Sequence, residues 1–397
     1  MSITERIYYL DAYAREFDAS VVETSEHEGR PAAILDRTAF YPTSGGQPFD
    51  TGTLGAAKVV DVVDRDDGAV IHVLDREIAK GPVRGAVDWE RRFEHMQQHT
   101  GQHILSAAFD KVAGARTASF HLGSDRSTID LARDVPGAEL ARVEREANRI
   151  VWEDRPVGVR VVSEEEAARL PLRKEPARTG RLRIVDVDGY DVSACGGTHV
   201  ARTGAIGVIA ISGTEKYKGG LRVEFLCGAR ALGAFGALRD TVAGCIRRLS
   251  VLPVELPEAV ARLQAESREL QRTIKGQQER LAGFEAQALV SRATAIGPWR
   301  AVIETADWDA AGLKALALSV AASPGVVTIL FNPAGGLIVV ARSGDVAFDA
   351  ATALEALVAA HGGRGGGRPE LAQAGGLAGA GVLETARQLV VRAAEAA

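Results

Sequence analysis

The chain contains few cysteines and no long hydrophobic run, and each absence excludes a class of protein. Three of its 397 residues are cysteines, and so small and odd a number cannot form a disulfide framework. No apolar run approaches the ~20 residues that span a bilayer, and the N-terminus lacks the apolar core of a signal peptide. We therefore expect a cytoplasmic protein that does not enter the membrane.

Positive charge is not in excess either. The chain carries 47 Lys and Arg residues against 52 Asp and Glu residues, which gives a formal net charge of −5. This balance does not exclude a nucleic-acid partner, because binding requires a local basic face and not a basic total. A composition of 46% hydrophobic and 25% charged residues is typical of globular proteins, and the length predicts about two or three domains.

The hydrophobic pattern divides the chain into four segments and predicts an α+β fold. Short β-type runs between turn-forming residues predict a small N-terminal β-barrel over residues 1–88. Residues 89–228 predict an α+β domain, which begins with a helix over Trp89–Ala113. A helical coiled-coil arm is expected over 229–295, followed by a C-terminal α/β domain over 296–397.

Within the arm, apolar residues recur with 4-3 spacing over about four heptads. The heptad positions are Leu256, Val260, Leu263, Ser267, Leu270, Ile274, Gln277, Leu281 and Phe284. Such a stripe requires a helical partner, which is either the preceding segment near 229–250 folded back or a second subunit. The coiled coil and the C-terminal domain are therefore the candidate surfaces of a homodimer.

Two short segments carry candidate metal ligands. His99 and His103 are four residues apart, which places both imidazoles on one face of the predicted helix. Cys195 and His199 flank a Gly-Gly pair that permits a tight turn. Three imidazoles and one thiolate are the donors that a tetrahedral zinc ion prefers. His95 lies one step further along the same helix face, so the spacing leaves open which pair of histidines binds.

The sequence does not support a zinc metalloprotease. That motif places a glutamate directly after its first histidine to act as general base. Here Thr100 follows His99 and Met96 follows His95. The other two cysteines, Cys227 and Cys245, have no second donor at ligand spacing and are expected to be buried apolar side chains.

Taken together, these motifs resemble a known family. The string MQQHTGQHILS at 96–106 and the CGGTH string at 195–199 resemble the editing domain of alanyl-tRNA synthetases and of the AlaX group of alanyl-tRNA editing proteins. The loop FYPTSGGQPFDTG at 40–52 resembles the barrel signature of that family, and the glycine-arginine segment at 362–376 resembles its C-terminal DHH-associated domain. The barrel signature begins within the first fifty residues, so the resemblance is to the long free-standing editor and not to a complete synthetase.

The resemblance implies a site and its residues. It implies one Zn²⁺ per chain, held by His99, His103, Cys195 and His199, and it makes His95 a neighbour that we expect to contact the tRNA end. Gln47 is a candidate catalytic residue that positions a water or the terminal adenosine. Further contacts to substrate or tRNA are expected from Thr43, Ser44, Gly45, Gly46, Arg222, Arg364 and Arg368. At Thr43 and Ser44 relatives often have Glu or another Gly, which leaves the detailed role of this loop open.

The implied activity is hydrolysis of the ester that joins a wrong amino acid to tRNA-Ala, in trans. A synthetase pocket built for alanine rejects glycine poorly, because one methyl group is worth only about 1–3 kcal/mol. We expect serine, and glycine as a second substrate, to be removed. A site that hydrogen-bonds the serine hydroxyl spares alanine, because alanine would leave a buried polar group unpaired. Ser119 and Thr117 are candidates for this bond, and ordinary strand hydroxyls are the alternative.

Two roles for the metal remain open on sequence grounds. If all four ligands bind at once, the site is closed and zinc orients the tRNA 3′ end. If His199 is absent from the shell, the open position holds a water whose pKa falls to about 7. Three arginines, Arg91, Arg92 and Arg222, are candidates for contacts to phosphates near the acceptor end of the tRNA, and surface ion pairs are the alternative for each.

Two other functions compete with this interpretation. The same fold edits Ser-tRNA-Thr in the related threonyl-tRNA synthetases, although the C-terminal domain favours tRNA-Ala. Alternatively, the chain is a non-catalytic tRNA-binding protein with a structural zinc. Swapping the tRNA body in a deacylation assay distinguishes editing of tRNA-Ala from editing of tRNA-Thr. Binding of tRNA without turnover would indicate the non-catalytic protein.

Overall fold

The computed structural model describes residues 3–174 and 180–397. The chain divides into two compact units, Met1–Gly244 and Cys245–Ala397. The fold is mixed α+β, as predicted, and it contains a closed six-stranded barrel. The finer division into four domains stays a prediction.

Among the described residues of the first unit, fifteen strands and four α-helices begin. The strands are β1 (Glu5–Arg6), β2 (Glu16–His27), β3 (Arg30–Leu35), β4 (Arg37–Thr38), β5 (Gly52–Leu54), β6 (Ala57–Asp64), β7 (Val70–Leu74), β8 (Gly81–Val87), β9 (Thr117–Leu122), β10 (Ser127–Leu131), β11 (Val157–Val162), β12 (Leu182–Val187), β13 (Asp191–Ala194), β14 (Ile209–Tyr217) and β15 (Gly220–Cys227). The helices are α1 (Trp89–Ala113), α2 (Gly137–Trp152), α3 (Glu164–Ala167) and α4 (Gly228–Leu249).

The predicted N-terminal barrel is confirmed. Its strands follow the order β2-β3-β7-β6-β5-β8 and close on themselves, which leaves no edge strand unpaired. Its interior is apolar and includes Val21, Leu35, Phe40, Leu54 and Val62. The loop with the family signature leaves this core after β4 and returns to it at β5.

Helix α1 runs through the centre of the first unit and has the bounds predicted from the sequence. The Asp88 side chain accepts a hydrogen bond from the backbone N–H of Arg91, which is an N-cap. The helix ends at Gly114, whose φ of 58° is the left-handed conformation typical of a C-cap. Most of its length is buried, so its two ligand histidines are held inside the protein.

Two further sheets flank the helix. Strands β14-β15-β10-β9 form an antiparallel sheet whose apolar face, with Ile129, Val223 and Phe225, joins the core around α1 and α2. Strands β11-β12-β13 form a second antiparallel sheet. The segment after β13 carries the second ligand pair, so its backbone brings that pair to α1.

The second unit contains a long helix and a six-stranded sheet. Its helices are α5 (Leu256–Ser291), α6 (Ala310–Ala321), α7 (Ala350–His361) and α8 (Val382–Glu395). Its strands are β16 (Thr294–Ile296), β17 (Trp299–Thr305), β18 (Val326–Asn332), β19 (Leu337–Arg342), β20 (Arg364–Arg368) and β21 (Leu371–Gly375), in the order β16-β17-β18-β19-β21-β20. The glycine-arginine segment therefore forms an edge hairpin.

The predicted heptad stripe lies on α5, but the coiled coil itself stays a prediction. Leu263, Leu270, Ile274 and Leu281 are 48%, 62%, 53% and 57% exposed, so the described part of the chain does not cover them. The homodimer also stays a prediction. Among the described residues, no helix combines the length and apolar character needed to cross a membrane.

Candidate metal centre

The four predicted ligands meet at one point in the first unit. One donor atom from each of His99, His103, Cys195 and His199 lies within 4.8 Å of the others. Cys195 Sγ is 3.3 Å from Nε2 of His99 and 3.4 Å from Nε2 of His199. These separations match the edges of a tetrahedron around zinc, which are about 3.3–3.8 Å for its usual bond lengths.

The barrel loop reaches this centre through a tight turn. Gly45 and Gly46 have φ values of 55° and 83°, and Ser44 and Gln47 exchange two backbone hydrogen bonds around them. Positive φ at both central residues is a type I′ turn, which explains the two glycines. A Cβ at Gly46 would lie 2.8 Å from Cε2 of Phe120, so a glycine is also needed where the loop meets β9.

Gln47 leaves this turn and hydrogen-bonds with His99, one of the four candidate metal ligands. Its Oε1 lies 2.8 Å from Nδ1 of His99 and also accepts the backbone N–H of Thr198 at 3.0 Å. Its Nε2 donates to Oγ1 of Thr198 at 2.8 Å. Because a carbonyl oxygen only accepts, Nδ1 of His99 carries the proton and Nε2 keeps a free lone pair for a metal.

The other two histidines are oriented in the same way. Nδ1 of His103 lies 3.1 Å from Oδ2 of Asp191, a buried carboxylate that also accepts from Nε of Arg173 at 2.6 Å. Nδ1 of His199 lies 3.2 Å from Oγ1 of Thr100. Each imidazole thus has an outer partner on Nδ1, which is how metal-binding histidines are usually held.

The turn between Cys195 and His199 depends on one glycine and one arginine. A Cβ at Gly197 would lie 2.1 Å from Cε1 of His99, so only glycine lets the turn approach that ring. Nη1 of Arg183 donates to the carbonyls of Cys195 and Gly197, both at 2.8 Å. Arg183 has no carboxylate partner among the described residues, and burial lowers its pKa.

The electrostatics favour a thiolate. Burial alone would raise the pKa of Cys195, but the imidazoles of His99 and His199 lower it well below its usual value. Burial lowers the pKa of His199 to about 3, which keeps that imidazole neutral. Burial also disfavours the charged form of His103, but the hydrogen bond with Asp191 prevails and raises its pKa to about 9. A proton and a metal therefore compete for His103.

This donor set fits a metal ion. One thiolate and three imidazoles, each with an orienting partner, form the kind of closed shell found in zinc sites. The four residues can therefore hold one metal ion. The predicted set of ligands is thus brought together, whereas His95 is not part of the group.

A cleft opens beside the centre. It encloses about 870 Å³, and His103 and Cys195 form part of its wall. Among the described residues, four cationic side chains and no acidic ones line it; the cations are Arg173, Lys174, Arg181 and Arg183. Tyr9, Tyr41 and Phe120 add aromatic surface. The cleft therefore suits an anionic ligand with planar rings.

The strand hydroxyls named from the sequence lie on the cleft wall but are already engaged. Oγ of Ser119 donates to Oδ2 of Asp130 at 2.7 Å. Oγ1 of Thr117 donates to Oγ of Ser106 at 2.8 Å. Arg222 forms a two-contact ion pair with the same Asp130, so it helps to fix this carboxylate.

The remaining predicted residues are distributed over both units. Ser44, Gly45 and Gly46 line the cleft, and the Thr43 hydroxyl accepts the backbone N–H of Phe49. His95 is buried, which lowers its pKa to about 3. In the second unit, Arg364 and Arg368 are exposed at the two ends of β20. Their tRNA contacts stay predictions.

Several residues of the site were not found from the sequence. Asp191, Arg173 and Arg183 had no motif to indicate them, because their contacts depend on how β12 and β13 pair. Gln102 lies within the MQQHTGQHILS string, and its spacing of three residues from His99 is the signal that places it on the same helix face. Arg92, considered for tRNA, is instead buried in an ion pair with Asp50.

Two protein-family models match separate segments of the chain. Residues 182–224 match the model of the threonyl and alanyl tRNA synthetase second additional domain. Residues 285–396 match the DHHA1 domain. A crystal structure of the C-Ala domain from Aquifex aeolicus alanyl-tRNA synthetase aligns with 25% of this chain and 95% of that domain, at 21% identity and a TM-score of 0.23, which is too low to establish a shared fold.

Similar proteins fall into two groups by length. The chain is 31% identical to the alanyl-tRNA editing protein AlaX-L of Pyrococcus horikoshii, over 94% of each chain. It is 34% identical to the alanine–tRNA ligase of Pyrococcus furiosus, over 93% of this chain and 42% of the ligase. For the ligase of Methanoculleus marisnigri the identity is 36%, over 94% of this chain and 41% of the ligase. The chain thus spans about 42% of the length of such ligases.

Proposed function

Because the chain belongs to the AlaX-L family of alanyl-tRNA editing proteins, we propose that it hydrolyses mischarged tRNA-Ala in trans. The substrates are Ser-tRNA-Ala and, as a second substrate, Gly-tRNA-Ala. Water adds to the ester carbonyl, the bond to the ribose oxygen breaks, and the amino acid and the tRNA hydroxyl are released. Such an activity removes errors that the alanine pocket of a synthetase cannot reject.

The cleft beside the four donors is the observation that carries this proposal. Its cationic lining is suited to the phosphates of a single-stranded 3′ end, and its aromatic side chains are suited to stacking against bases. His103 and Cys195 in the wall place the centre next to a ligand in the cleft. A nucleic acid ending in an ester fits this combination of charge, rings and metal ligands.

We further propose that the metal is zinc and that His99, His103, Cys195 and His199 hold it. When bound, zinc supplies a positive charge that polarises or orients the ester end of the tRNA. Gln47 and Asp191 keep the imidazoles of His99 and His103 in the tautomer that binds a metal. Arg183 holds the backbone turn that carries Cys195.

A deacylation assay with a panel of charged tRNAs tests the proposal. Metal-replete protein is expected to hydrolyse Ser-tRNA-Ala and Gly-tRNA-Ala and to leave Ala-tRNA-Ala intact. Preferential hydrolysis of Ser-tRNA-Thr would instead favour editing of tRNA-Thr, which the match to a domain shared by threonyl and alanyl enzymes keeps as the second candidate. Binding of tRNA-Ala without turnover of any ester would contradict both.

A further inference from the structure

Gln102 lies on the face of α1 that carries His99 and His103, and no role has been assigned to it above. His99, Gln102, His103 and Ser106 are related by helical steps of three, four and seven residues, so they lie on one face. Gln102 is only 2% exposed and lines the cleft directly beside the ligand His103. Its side chain is therefore within the wall of the cleft.

One end of the Gln102 amide is anchored and the other is free. Nε2 donates to Oγ of Ser106 at 2.8 Å, and the same oxygen accepts from Oγ1 of Thr117 at 2.8 Å. Oε1 is buried and has no hydrogen-bond partner among the described residues. A buried carbonyl without a partner costs about 1–3 kcal/mol, so such groups usually have one.

The residue that carries this unpaired acceptor lines the cleft, so Oε1 is the candidate acceptor for a donor group of a ligand. Other described residues also have a buried side-chain atom without a partner, but of these residues only Gln102 lines the cleft. The hydroxyls of Ser119 and Thr117, on the same wall, already donate to Asp130 and Ser106. A ligand that brings an O–H donor to this wall would satisfy Gln102.

We propose that Gln102 is a specificity-determining residue whose Oε1 accepts the side-chain hydroxyl of the seryl group, an inference that rests on the deacylase function proposed above. An alanyl group has a methyl in place of this hydroxyl and leaves the carbonyl unpaired. A site that is built around a substrate hydroxyl rejects the analogue that lacks it much more strongly than an apolar pocket does. Gln102 thus distinguishes a seryl group from an alanyl group.

The test replaces the amide with an apolar group of similar length. Gln102→Met is expected to lower kcat/KM for Ser-tRNA-Ala at least about tenfold, because the hydrogen bond is lost. Hydrolysis of Ala-tRNA-Ala is expected to rise, because the unpaired acceptor that disfavours it has gone. A glycyl group has no side chain, so a water can take the place of the hydroxyl and pair with Oε1, and hydrolysis of Gly-tRNA-Ala should change less than about threefold.

Gln97→Met is the matched control. Gln97 is a buried glutamine of the same helix whose Nε2 donates to the carbonyl of Ala205 at 2.9 Å, and it does not line the cleft. This variant should keep the wild-type ratio of Ser to Ala hydrolysis. If Gln102→Met does not fold, Ser106→Ala frees the amide and should lower the same ratio.

Three results would contradict either the role of Gln102 or the deacylase function on which it rests. An unchanged Ser to Ala ratio in folded Gln102→Met would overturn the assignment of Gln102. So would an equal loss on Ser-tRNA-Ala and Gly-tRNA-Ala, because that pattern indicates a contact to the shared ammonium or ester. If the wild-type protein hydrolyses none of the three esters, the proposed deacylase function itself is contradicted.

Discussion

Oε1 of Gln47 lies 2.8 Å from Nδ1 of His99, a residue 52 positions later in the chain. The contact joins the glycine turn of the barrel loop to the first candidate metal ligand on α1. Through Thr198, Gln47 also holds the turn that carries Cys195 and His199. One side chain therefore positions both ligand segments.

We expect Gln47→Leu to weaken metal binding. The substitution removes the acceptor for Nδ1 of His99, and loss of such an outer partner typically lowers metal affinity about 10–100-fold. Competition with a chromophoric chelator measures the zinc dissociation constant. Gln271→Leu, at an exposed position on α5, should bind as the wild type does. Equal affinities of folded Gln47→Leu and wild type would contradict the positioning role.

The buried ion pair between Arg92 and Asp50 predicts a large loss of stability. Both side chains are fully buried, and Asp50 also accepts the backbone N–H of Tyr41 at 2.6 Å. Removing one partner leaves the other charge buried and unpaired, so Asp50→Asn should lower the free energy of unfolding by about 3–5 kcal/mol. Urea unfolding measures this change.

The matched control for this pair is an exposed one on the barrel. Arg84 and Glu16 also form an ion pair, but both side chains are more than half exposed. Solvent screens such a contact, so Glu16→Gln should not shift the urea midpoint measurably. A similar shift for Glu16→Gln and Asp50→Asn would show that burial does not control the effect.

The sequence predicted much of the fold because hydrophobic periodicity and capping residues act locally. The helix predicted over Trp89–Ala113 has the observed bounds, and Asp88 and Gly114 cap its two ends. Four-residue spacing gave the candidate ligands, and the family resemblance selected His99 and His103 from the three histidines of α1. Gln47 was predicted as a site residue, but its contact with His99 was not. This contact and those of Asp191 with His103 and Arg173 could not be predicted, because they join residues 18 to 88 positions apart. The exposure of the heptad stripe on α5 also could not be predicted, because a heptad pattern does not indicate which surface covers it.

His72 predicts a specific dependence of stability on pH. Its Nδ1 lies 3.2 Å from the carbonyl of Ala33 and its Nε2 lies 2.8 Å from Oγ1 of Thr38, which fits a neutral ring. Burial lowers its pKa to about 4, below the ordinary value of 6.5. The unfolded chain therefore binds a proton between these values while the folded chain does not, so stability is present above pH 6.5 and falls as the pH drops towards 4.

Urea unfolding at several pH values measures the size of this effect. A shift from 6.5 to about 4 corresponds to about 3 kcal/mol, lost between these limits. His72→Gln cannot titrate, so its unfolding free energy should vary less over the same range, whatever its absolute stability. Identical slopes for His72→Gln and wild type would exclude His72 as the source.

The cleft cations predict a salt-dependent contribution to tRNA binding. Lys174→Gln and Arg181→Gln each remove one positive charge from the lining. Each should weaken tRNA binding and reduce the slope of log K against log salt by about one unit. Lys80→Gln, at an exposed position after β7, should leave the slope unchanged. Wild-type slopes for both cleft variants would exclude phosphate contacts at these positions.

The most direct test of the central claim is the hydrolysis of Ser-tRNA-Ala by zinc-replete wild type and Cys195→Ala. Cys195 provides the thiolate of the four-donor group, so its loss should remove the metal centre. The account predicts rapid release of serine by the wild type, no release above the spontaneous rate by folded Cys195→Ala, and no hydrolysis of Ala-tRNA-Ala by either. Wild-type activity in the metal-free Cys195→Ala protein, or no activity in the wild type, would contradict it.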